Sequence, residues 1–171
     1  MKEKIEKYLK NALDELYNND QFLICNQPRC SNQPNVHRHV GERAIVFRLA
    51  HYLSNDIERD SEFVKYNLDC EYNRNGRNTK RLPSFPYGTF PDIIIHERGT
   101  NENNLFVCEV KTYWNANNED DVKKIQQFID KDGEYKFRYG LSLIITKKRA
   151  NVCYLWIYRD KEDENIYKRK K

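Results

Sequence analysis

No stretch of the 171-residue chain approaches the ~18–20 consecutive apolar residues of a transmembrane helix, which argues against an integral membrane protein. The N-terminus, Met1-Lys2-Glu3-Lys4, alternates charge where a signal peptide would be apolar. The expectation is a cytoplasmic protein with no membrane partner. Cysteine is sparse: five residues, an odd number, scattered along the chain, which suits reduced thiols better than a disulfide scaffold. Charge of one sign is not in large excess either. Thirty basic against 26 acidic side chains give +4, a balance that permits a nucleic-acid partner without demanding one. Internal repeats and low-complexity tracts are absent.

What is present points to one packed domain. Charged residues make up 33% of the chain and apolar residues 39%, but 12 tyrosines and 8 phenylalanines argue against wholesale disorder. Residues 4–18 place Ile5, Tyr8, Leu9, Ala12, Leu13, Leu16 and Tyr17 at helical spacing, and Asn18-Asn19-Asp20 stops that helix. Residues 26–35 read as a loop, and a second helix is expected over about 39–53. Between 64 and 72, Val64, Tyr66, Leu68, Cys70 and Tyr72 alternate with polar residues, the pattern of a half-buried strand, and Asn75-Gly76 offers a tight turn. Two further strands, 90–96 and 105–111, are separated by a link short enough to favour antiparallel pairing. A helix over 118–132 is expected to start at an Asn118 cap, carry acids in its first turn and bury Val122, Ile125, Phe128 and Ile129. The apolar strands 141–146 and 152–158 suit buried central or parallel positions. This order predicts an α/β fold with a mixed central sheet flanked by helices.

Chemistry concentrates on the middle strands. Glu109 and Lys111 are two residues apart, so a strand projects both from one face. Asp92 stands before the apolar run Ile93-Ile94-Ile95, and hairpin pairing of the two strands would bring it to Glu109. Two carboxylates and an ammonium would then meet at one edge of the sheet. Such a group can hold a hard divalent cation such as Mg²⁺ or Mn²⁺ through its oxygens, with the lysine beside the phosphodiester under attack. The alternative is an ordinary exposed cross-strand face with Asp92 in a turn.

The pattern Pro91-Asp92, sixteen residues, then Glu109-Val110-Lys111 resembles the PD-(D/E)XK nuclease superfamily. The resemblance implies a restriction-endonuclease-like αβββαβ core over residues 37–158, preceded by an extra helix and loop (1–36) and followed by a charged tail (159–171), all in a single domain. It further implies metal-dependent hydrolysis of nucleic acid, with DNA as the expected substrate. Asp92 and Glu109 would hold the cation together with the Val110 carbonyl, and Lys111 would position or activate water. Glu42 lies on the otherwise apolar stripe Ile45/Leu49/Tyr52 and matches the family's glutamate on the helix before the core strands; it would assist the metal or the water. Complementation of the helix dipole in a first turn is its other reading. A non-catalytic nucleic-acid-binding or protein-interaction module on the same fold, and an RNA endonuclease, are the rival functions. Cutting of both strands would favour a homodimer.

Residues 73–87 carry Arg74, Arg77, Lys80 and Arg81 with two aromatics and no acid, a composition suited to nucleic-acid contact; a solvated hairpin tip is the alternative. Gln126 could reach the site from its helix or lie on a solvated flank. The glutamine–tyrosine motif of RecB-like members is incomplete here, because no tyrosine follows one turn later. Cys25, Cys30, His37 and His39 have a spacing that could bind zinc, although it matches no common zinc module. Cys70, Cys108 and Cys153 are expected in the core, and His51, His96 and Trp114 are read as structural.

Overall fold

The computed structural model describes residues 1–25 and 39–158. The expected loop, Cys30 and His37 of the zinc reading and the charged tail lie outside the described residues. Helices α1 (Lys2–Asn19), α2 (Gln21–Ile24) and α3 (Glu42–Arg59) come first. Strand β1 (Asn67–Cys70), the short hairpin β2 (Arg74–Asn75) and β3 (Asn78–Thr79), β4 (Ile93–His96) and β5 (Asn104–Thr112) follow. Helix α4 (Glu119–Ile129), β6 (Tyr139–Ile145) and β7 (Cys153–Tyr158) complete the chain. Five strands form one sheet in the order β1-β4-β5-β6-β7. All pairings are antiparallel except β5 with β6, which run parallel because α4 carries the chain across between them. A mixed sheet flanked by helices is thus what the element order predicted.

Strands β4 and β5 are apolar on both faces because both faces are covered. Ile93, Ile95, Phe106, Cys108 and Val110 pack against α1 and α3, while Ile94 and Val107 pack against Ile125, Phe128 and Ile129 of α4. The N-terminal helix, expected as an extension outside the core, is integral to it: Ile5, Leu9, Leu13 and Leu16 are buried in the same cluster as α3 and the sheet. Helix α4 approaches β6 closely. A Cβ on Gly140 would lie 2.3 Å from Ile125 Cγ2 and 3.2 Å from Ile129 Cγ2. Gly140→Ala is therefore expected to destabilise the protein by about 1–3 kcal/mol through overpacking, read as a lower urea midpoint at unchanged slope.

Several expectations need correction. The strand over 64–72 is only Asn67–Cys70: a helical turn at Ser61–Phe63 precedes it, Val64 is 88% exposed, and Glu71 adopts positive φ directly after it. Alternation reports which face a residue would take, not whether a neighbour is there to pair, and β4 offers β1 just four partners. Cys70 is accordingly exposed, whereas Asp69 on the opposite face bonds His96 and Arg98. The strand expected from residue 90 starts at Ile93. Asn118 does not cap α4 through its side chain, which donates to Ser142 Oγ. Strand β7 is an antiparallel edge strand, and Cys153 on it is exposed, so of the three strand cysteines Cys108 alone is buried.

Candidate functional site

Continuing the Ile93–Cys108 register by one residue sets Asp92 opposite Glu109. The Val110 N–H donates to Asp92 Oδ2 at 2.7 Å, which ties the carboxylate to β5. The even residues of β4 and the odd residues of β5 share the α4 face, so Asp92, Glu109 and Lys111 point to one side. Strand β5 is the central strand, and the group sits near its C-terminal end, paired with β6 on one side and just past the start of β4 on the other.

Two helices complete the cluster. Glu42 occupies the first turn of α3, where the helix dipole favours a carboxylate, and it reaches round the end of β5 from the opposite layer. Its Oε1 lies 3.3 Å from Lys111 Nζ, and its Oε2 accepts from Thr112 Oγ1 at 3.4 Å. From α4, Asp121 and Lys124 face the strand. Lys111 Nζ bridges Glu42 and Asp121 (3.3 and 3.4 Å), and Lys124 Nζ bridges Glu109 and Asp121 (2.8 and 3.6 Å). Asp121 and Lys124 were missed by the sequence reading, which took Asp121 as a first-turn acid. The signal was present: Asp121 prolongs the Ile125/Phe128 stripe at spacings of 4 and 3, so its side chain had to turn inward.

The electrostatics are those of crowded, desolvated acids. Burial pushes Asp92 up to about 6, against the Val110 N–H bond and the Lys124 ammonium. Glu109 is 2% exposed; burial and then the charge of Asp92 push it up to about 8, even with Lys124 bonded to it. Burial also opposes the charge of Lys111, but Asp121 and Glu42 outweigh it and hold its pKa above the usual lysine value. Glu109 Oε1 is buried with no hydrogen-bond partner. Four carboxyl groups thus face two ammonium groups, and if all ionise two negative charges stay unbalanced. An orphaned buried carboxylate oxygen beside that excess fits a divalent cation. Among the described residues no three His, Cys, Asp or Glu side chains form a ready-made metal group, and here the lysines stand between the acids.

The other expected residues do not join this cluster, and the hairpin that carries Arg74 lies toward the opposite end of β5, where Asn75 bonds Asn101 and Glu134. Arg74, Arg77 and Arg81 are exposed on and beside the β2–β3 hairpin, and Gln126 is exposed on α4. Lys80 is different. It is 1% exposed, its Nζ donates to the Arg74 carbonyl at 2.5 Å, and it lies over the rings of Tyr72 and Tyr135 (5.0 and 5.2 Å). Burial lowers its pKa to about 8. The phosphate-contact expectation for Lys80 is therefore corrected: its ammonium is spent on holding the hairpin, because aromatic faces and a carbonyl enclose it. His96, buried against Asp69 at 2.9 Å, is structural as read. Of the zinc reading, Cys25 and His39 are described, and the His39 ring stacks on Trp114 with centroids 4.2 Å apart.

Comparison with family models, with curated proteins and with solved structures returned no match to this chain. The chemistry is therefore carried by the residues themselves. No helix of the described residues is long and apolar enough to cross a membrane.

Proposed function

We propose that this chain is a metal-dependent nuclease of the PD-(D/E)XK type, hydrolysing phosphodiester bonds of nucleic acid, with DNA as the expected substrate. The observation that carries the reading is the desolvated Asp92/Glu109 pair, with an orphaned Glu109 oxygen, two residues from Lys111 and on the same face of the central strand. The order of elements supports it too: a helix, three antiparallel strands of the main sheet, a crossover helix and a parallel strand follow the order that the resemblance implies.

On this reading Asp92 and Glu109 would hold Mg²⁺ or Mn²⁺, and the Val110 carbonyl would be a further oxygen. A bound divalent cation supplies charge that offsets the phosphodiester under attack and acidifies water. Lys111 is the group beside the attacked phosphate, where its ammonium orients the incoming water and balances charge on the phosphoryl oxygens. Glu42 and Asp121 hold Lys111 from either side, one from each helical layer. Lys124 keeps Glu109 aligned. Each of these supporting contacts fixes a group that touches cation or substrate.

The test is cleavage of single-stranded, duplex and branched DNA, and of RNA, with Mg²⁺ or Mn²⁺ and with EDTA. Cleavage that needs the metal is the expected result. No cut in any substrate, or cutting undiminished by EDTA, overturns the reading. Binding without cleavage would favour the non-catalytic module.

A further inference from the structure

We propose that the segment 74–90 is a seat for unpaired nucleotides, so that the substrate of this site has single-stranded character at the point of attack. The inference rests on the nuclease reading for its link to catalysis, but its binding evidence is separate.

Two aromatic rings on this segment face solvent, one wholly and one in part. Tyr87 is 99% exposed and Phe90 51% exposed, although aromatic side chains normally repay burial more than most. Around them the chain from Asn73 to Pro91 contains no acid, while Arg74, Arg77 and Arg81 are exposed. An open groove of about 470 Å³ runs beside Arg77 and Arg81, lined also by Asn75, Asn78, Thr79, Tyr135 and one carboxylate, Glu134, which accepts from the Asn75 amide. Guanidinium groups along a groove track phosphates, and exposed rings offer stacking faces.

The segment is fixed in place. Lys80 ties it to the Arg74 carbonyl, the Arg81 N–H donates to the Tyr135 hydroxyl at 2.9 Å, and Thr89 N–H donates to the Lys80 carbonyl at 2.9 Å. The segment's later part, residues 84–90, runs toward the acid cluster, while the hairpin and its groove lie toward the other end of β5, where Asn75 bonds Asn101 and Glu134. The Phe85 ring lies 6.0 Å from Lys124 Nζ, the same ammonium that bonds Glu109, and Ser84 N–H bonds Gln127 of α4. Phe90 is two residues from Asp92, so their Cα atoms are within about 7 Å by chain length alone. A strand whose bases stack on Tyr87 and Phe90 would thus enter beside Asp92 and Glu109. Duplex DNA would have to unstack to use these rings, because its base faces already cover one another, so the arginines would serve it chiefly.

The test measures binding of fluorescent oligo-dT and of a hairpin duplex of equal strand length, by anisotropy in EDTA. Wild type should prefer oligo-dT. Tyr87→Ala and Phe90→Ala, both solvent-facing changes, should each weaken oligo-dT binding about 5-fold or more and leave duplex binding unchanged. Arg77→Ala and Arg81→Ala should weaken both and flatten the salt dependence, by about 0.7 in log–log slope per lost contact on a single strand. Preference for duplex, binding to neither, or equal losses on both probes in the aromatic variants overturns the inference. Metal-dependent cutting of duplex with no single-strand preference would sink this proposal and leave the nuclease reading standing. Tight oligo-dT binding with no cleavage would do the reverse.

Discussion

Lys111→Ala and Asp92→Asn are expected to lower metal-dependent cleavage by about 10²–10³-fold or more, with the fold intact. The effect is large because each change removes a group that touches the cation or the phosphate, and nothing nearby replaces it. Lys124 already bonds Glu109, and the Glu42 carboxylate carries the wrong charge to replace Lys111. Asp92→Asn keeps shape and can still face the Val110 N–H, but it loses the charge that a hard cation requires. Changes one step removed should cost less. Lys124→Ala and Asp121→Asn are expected to lose about 10–100-fold, since they free Glu109 and Lys111 to adopt other positions without removing either. Single-turnover rates in Mg²⁺, with circular dichroism melts as the control for folding, separate the two grades. Wild-type rates in both Lys111→Ala and Asp92→Asn would dismiss the assignment.

Without metal, stability should fall as pH rises from about 4 to about 8, and Glu109→Gln should remove most of that slope. The sign follows from proton binding. Unfolded Asp and Glu lose their protons near their ordinary values of 3.8 and 4.5, whereas folded Asp92 holds its proton to about 6 and Glu109 to about 8. Across that window the folded state binds more protons than the unfolded chain, so raising the pH favours unfolding. The destabilisation is complete above the folded values, and Glu109 carries the larger share, a few kcal/mol, because it is the more deeply buried. Other shifted groups act elsewhere. Asp60 and Asp69, held low by their basic partners, matter below about pH 4, and Lys80, pushed down by burial, matters above about pH 8. Urea melts in EDTA at pH 5 and pH 8 measure the effect. Mn²⁺ should restore more stability at pH 8 than at pH 5, because ligands must be deprotonated to bind it. A wild type whose stability rises over this range, or a Glu109→Gln variant with an unchanged slope, would rule out the charge-frustrated pair.

Much of this was legible in local sequence, for definite reasons. Period-2 geometry puts Glu109 and Lys111 on one face wherever the strand lies, and a short link between 90–96 and 105–111 leaves hairpin pairing as the simple solution. That pairing is what brings Asp92 to Glu109. Helix periodicity likewise marked α1, α3 and α4; the ends of α1 moved little, while α3 runs on to Arg59 and α4 stops at Ile129. The strand over 64–72 was over-read because alternation persists in sequence beyond the point where a neighbouring strand is available.

Lys80 and Asp121 show the boundary most clearly. Written side by side with Arg77 and Arg81, Lys80 looks like one more surface cation; only the packing of Tyr72 and Tyr135 around it turns it into a buried strut. Asp121 looks like a dipole-complementing acid until α4 is laid against β5. The order of elements, the shared face of Glu109 and Lys111 and the acid-free basic segment were determined by the sequence alone, because each depends on residues close in the chain. The encounter of Glu42 from one layer with Asp121 and Lys124 from the other was decided by tertiary structure. Helices remote in sequence meet at the end of β5 only when both hydrophobic faces of the sheet are covered, and no local pattern encodes that encounter.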